Sequence, residues 1–105
     1  MKNHLLIRFS SLLFQKLAIA KILIGVMIMK KLNEVECQTT VKVTKLTATG
    51  LLRERLLALG ITTGALIDVI KKGPKNNLTV YNIRGAMIAL REEEGSLIMV
   101  KPIHD

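Results

Sequence analysis

The sequence predicts a mainly β domain: a small closed barrel of about five short strands, with one short helix between the first two. Three observations predict it. Residues 39–46, 65–72, 78–84, 87–91 and 97–100 are short β-rich runs in which apolar residues recur at alternate positions. Arg53 to Gly64 reads RERLLALGITTG, a run of helix formers halted by glycine and followed by strand spacing. The connections are tight, and rolling a small sheet shut removes its open edges.

The elements follow in order. Leu32 to Gln38 leads in. On the first strand, Val41, Val43 and Lys45 are assigned to one face, and Lys42, Thr44 and Leu46 to the other. Thr47, Thr49 and Gly50 suit a helix start. Within the helix Leu52, Leu56 and Leu59 make an i, i+4, i+7 stripe toward the core, with Arg53 and Arg55 projecting away from it. Gly60 takes the left-handed position just past the helix, and Gly64 marks the next turn.

The second strand puts Ile67 and Val69 on one side, with Leu66, Asp68 and Ile70 on the other. Gly73-Pro74-Lys75-Asn76-Asn77 is a turn cluster. The third strand opposes Val80 to Tyr81 and Ile83, and Gly85-Ala86 makes the corner into the fourth. Glu92-Glu93-Glu94-Gly95 has room for one helical turn and reads as a solvated acidic turn. Ile98 and Val100 are the core pair of the last strand.

Composition divides the chain in two. Residues 1–28 hold Lys2, Arg8, Lys16 and Lys21 with no acid, half of the formal charge of +8. Their uncharged runs are too short for a spanning helix, and a secretory signal fits poorly because lysines interrupt the apolar core. Two readings of this leader stay open: a misassigned start, with Met29-Lys30-Lys31-Leu32 as the ordinary one, or a membrane-surface helix making peripheral contact. Residues 29–105 form the single folded domain.

Few chemistries survive this composition. Cys37 is the only cysteine, which excludes an internal disulfide, and His4 and His104 stand at opposite ends of the chain. Glu92, Glu93 and Glu94 are consecutive, so they cannot form a paired-carboxylate site. Glu34, Glu36, Cys37, Asp68, His104 and Asp105 show no metal-ligand spacing. Neither a catalytic residue nor a metal site is predicted.

Leu56, Leu57, Leu59, Gly60, Ile61 and Gly64, followed by Arg84, Gly85, Ala89, Leu90, Arg91, Glu93 and Glu94, resemble the signatures of the FeoA family. The likeness covers roughly residues 31–100. Thr63 stands where the family usually has proline, and Asn76-Asn77-Leu78 replaces its Gly-Asp-Pro. The resemblance implies an SH3-like barrel and a non-enzymatic accessory protein of bacterial ferrous iron uptake. It implies a cytoplasmic location, at the inner face of the cell membrane. The implied partner is the membrane ferrous iron transporter with its GTPase domain, and weak Fe(II) or other transition-metal binding is implied as well.

On this reading Arg53, Arg55, Leu56 and Leu57 are the candidate docking residues, an apolar centre with a basic rim. Gly60, Gly64 and Gly85 are structural turns. Two alternatives stand beside it. A nucleic-acid-binding small barrel has little in its favour, with Tyr81 the sole aromatic after residue 28. A stand-alone relative of the C-terminal domain of iron-dependent repressors would lack a helix-turn-helix.

Overall fold

Alternation of apolar residues in the strands is answered by one continuous core. The computed structural model describes residues 15–23, 28–74 and 77–103. Residues 15–23 are helical (α1). The elements that follow are β1 (Lys30–Lys31), a 3-10 turn η1 (Leu32–Glu34), β2 (Thr39–Leu46), α2 (Gly50–Ala58) and β3 (Leu66–Lys72). Then come β4 (Leu78–Ile83), β5 (Ala86–Arg91), α3 (Glu92–Gly95) and β6 (Ile98–Pro102). Val41, Val43, Ile67, Val69, Tyr81, Ile83, Leu90, Ile98 and Val100 point inward and meet Leu32, Leu56 and Ile61.

The barrel expectation is corrected. The strands form one six-stranded sheet in the order β1-β6-β2-β3-β4-β5, and β5 and β1 are its two edges. Among the described residues no ladder joins those edges, so the sheet is open. The physical reason lies at both of them. β1 is only two residues long, exposed, and pairs with β6 alone. At the other edge the chain turns off β5 into α3, whose Glu94 Oε1 accepts the Arg91 N–H at 2.9 Å. α3 packs on η1, with Gly95 set against Asn33, so side-chain packing spans the seam where a ladder would run. The helix position also moves: α2 joins the second and third strands, and the 3-10 turn η1 separates the first two.

A second correction concerns β2. Its register against β6 shifts between Val43 and Lys45, a bulge that adds one residue to the strand. One extra residue reverses the alternation. Leu46 therefore joins Val41 and Val43 in the core, and Lys45 is exposed.

The end of α2 is built from its sequence. The Gly60 N–H donates to Leu57 O at 3.0 Å, and the Ile61 N–H donates to Leu56 O at 3.1 Å. These two bonds, with Gly60 at φ +94, make a Schellman motif, and its apolar contact is Leu56 with Ile61, both fully buried. A Cβ on Gly60 would lie 3.2 Å from Arg84 Cδ, so backbone and packing both ask for glycine. Gly64 has φ +89. Arg84 and Gly85 have φ 52 and 85 between the paired residues Ile83 and Ala86, which is a two-residue type I′ hairpin.

The open edge is testable. Counting from the hairpin pair, antiparallel alternation turns the Met87 and Ala89 N–H groups away from β4. Hydrogen exchange at these two amides is expected to be fast, and slow at Ile88 and Leu90. Strong protection at Met87 and Ala89 would show that a strand covers the edge.

Candidate functional site

The outward face of α2 collects most of the candidate residues. At 3.6 residues per turn, Leu52, Leu56 and Leu59 face inward. Leu57, Glu54, Ala58 and Leu51 then follow one another across the outside, with Arg53 and Arg55 on opposite flanks. Leu51 is 84% exposed and Leu57 38% exposed. Leu56 has no exposed surface and supports this face from beneath.

Both arginines are tethered to the body of the domain. Arg53 Nη1 donates to Leu46 O at 2.9 Å, fixing the helix to the end of β2. Arg55 Nη1 donates to Glu94 Oε2 at 3.0 Å, and the Arg55 side chain stays 60% exposed while that of Glu94 is 11% exposed. Glu94 thus uses one carboxylate oxygen on Arg55 and the other on the Arg91 N–H. The solvated acidic turn is corrected here: Glu94 is buried and fastens α3 to α2. The result is a positioned surface, with an apolar strip around Glu54 and a guanidinium held on each side.

Leu51 is not among the residues that the sequence marks as candidates, yet it is the most exposed leucine of α2. The signal was available in its i, i+3, i+7 relation to Glu54 and Ala58. The glycine turns lie away from this strip. Gly60 packs under Arg84, whose Nη2 donates to Thr62 Oγ1 at 2.9 Å. So the Leu-Gly and Arg-Gly signatures, distant in sequence, meet in one corner.

Metal donors do not converge. Among the described residues no group of three His, Cys, Asp or Glu side chains could hold an ion. Asp68 Oδ1 instead accepts the Thr40 hydroxyl, and Cys37 is exposed and unpaired. His104 and Asp105, named as candidate donors, lie outside the described residues, as do 1–14, 24–27 and 75–76. The described residues do not fit a transition-metal centre. No described helix is long and apolar enough to cross a membrane.

Among the described residues the domain is an open antiparallel sheet carrying a helix whose outward face is partly apolar, and no metal donors converge on it. The FeoA domain family matches residues 30–102, and the chain belongs to that family. Solved structures agree. The FeoA protein of Chlorobium tepidum is 28% identical, with 70% of each chain covered and a TM-score of 0.67. The FeoA-like protein of Clostridium acetobutylicum is also 28% identical, covering 73% of this chain and 90% of its own, with a TM-score of 0.67. A manganese-dependent transcriptional repressor shares the fold at 16% identity, covering 71% of this chain and 42% of its own, with a TM-score of 0.66. No curated protein sequence matches.

Proposed function

We propose that this chain is a non-catalytic accessory protein of bacterial ferrous iron uptake. It acts by binding the cytoplasmic part of a membrane iron transporter that carries a GTPase domain. The FeoA match over residues 30–102 is the observation that carries this reading. Residues 29–105 are the working unit, and the outward face of α2 is its docking surface.

Leu51 and Leu57 supply the apolar centre, Arg53 and Arg55 the rim, and Leu56 the support beneath. Small apolar centres ringed by polar groups carry most of the energy of such contacts. The tethers on the two arginines lower the entropy lost when a partner orders them. Charge reversal of Arg55 is a poor probe, because it would set a carboxylate against buried Glu94. Leu51 is the better position, since its side chain adds little to folding.

The test passes detergent-solubilised membranes containing the transporter over the immobilised full chain. Retention of the transporter by the unaltered chain and its loss with Leu51→Glu are expected. A transporter that passes through unretained would refute the proposal.

A further inference from the structure

We propose that α1 is a docking element for an anionic lipid surface. This inference is independent of the role assigned to α2. Every residue of α1 is exposed. Leu17, Ile19, Ile22 and Leu23 are 57 to 66% exposed, a dense apolar surface for so short a helix. Water is a poor resting place for it.

Geometry and charge select the occupant. At about 100° per residue, Ala18, Ile22, Ile19 and Leu23 fall within an arc of about 140° that Gln15 also enters at the first turn, while Lys16 and Lys21 flank the opposite side, which holds Ala20 and Leu17. Its described residues, 15–23, are too few to span a bilayer. With the apolar arc sunk among acyl chains, long lysine stems let both ammonium groups reach the headgroups.

A second copy would bring two leaders together, each with four cations and no acid. The domain is no better as a partner, because residues 29–105 hold the other half of the +8 charge. An anionic bilayer supplies both the apolar medium and the opposite charge.

The experiment is flotation of the full chain with vesicles of phosphatidylglycerol and phosphatidylcholine in equal parts, and with phosphatidylcholine alone. Binding to the anionic vesicles is expected, weakening with added salt. Lys16→Gln with Lys21→Gln should weaken it roughly thirtyfold, about fivefold per charge. Ile19→Ser with Ile22→Ser should abolish it, with the β-sheet circular dichroism unchanged.

Equal binding to both vesicle types would overturn the proposal, as would no binding to either. So would anionic binding that both variants retain, because the basic domain would then be the contact. A discrete oligomer in sedimentation velocity that the isoleucine variant dissolves would place α1 against a second copy, and would overturn it too.

Discussion

Tyr81→Ala is expected to cost about 3–5 kcal/mol of stability, the scale for truncating a fully buried aromatic side chain. Tyr81 is 1% exposed and heads the fully buried side chains by volume, in a core otherwise aliphatic. A domain of this size has a total stability of only about 4–11 kcal/mol. The variant should therefore be close to half unfolded, or show a urea midpoint far below the parent's.

Tyr81→Phe is the milder comparison. It removes only the buried hydroxyl, at a cost of about 1 kcal/mol. Burial raises the Tyr81 phenol above its ordinary 10.0; the Thr79 side chain pulls it partly back, and Cys37 adds a smaller upward push. A folded pKa above the unfolded one means that the neutral phenol stabilises the fold. That stability is fully present below about pH 10 and is lost as pH rises through the folded value. With one tyrosine and no tryptophan in the chain, ultraviolet absorbance follows the titration directly. A phenol titrating at its ordinary value would show Tyr81 in contact with water.

Leu56→Ala is the second large effect, about 2–5 kcal/mol. Leu56 is fully buried, and it is half of the apolar contact that closes the helix-stopping motif with Ile61. Its truncation leaves a cavity and loosens the hold of α2 on the sheet. Partner binding should then fall only with the unfolded fraction. Native melting behaviour combined with lost binding would mean that Leu56 meets the partner directly.

Much of the core was legible because strand alternation is local. Ile67 with Val69, Tyr81 with Ile83, and Ile98 with Val100 were each paired from spacing, and each is buried. The family was legible too, since Leu59-Gly60 and Arg84-Gly85 are compact motifs. Three features were hidden for physical reasons. The β2 bulge leaves no mark in composition, yet it moves Leu46 into the core and Lys45 out. Closure of the sheet depends on whether two distant edges meet, and a two-residue β1 gives no sequence signal. Glu94 reads like Glu92 and Glu93 beside it, and only the fold brings it to Arg55, 39 positions away.

The proposed docking surface had a partial signature. Arg53 and Arg55 were visible as charges off the apolar stripe, whereas their tethers to Leu46 and Glu94 depend on tertiary packing. Leu51 was visible as a leucine; its exposure came only with the helix set on the sheet.

The most direct measurement is a calorimetric titration of the transporter's purified cytoplasmic part with the full chain and with Leu51→Glu, alongside both melting temperatures. The account predicts saturable binding by the parent chain. It also predicts roughly tenfold or weaker binding by the variant, the size expected for losing an interface anchor, with the melting temperature unchanged. Equal affinity of the two chains would contradict it, because the outward face of α2 would then not be where the partner sits.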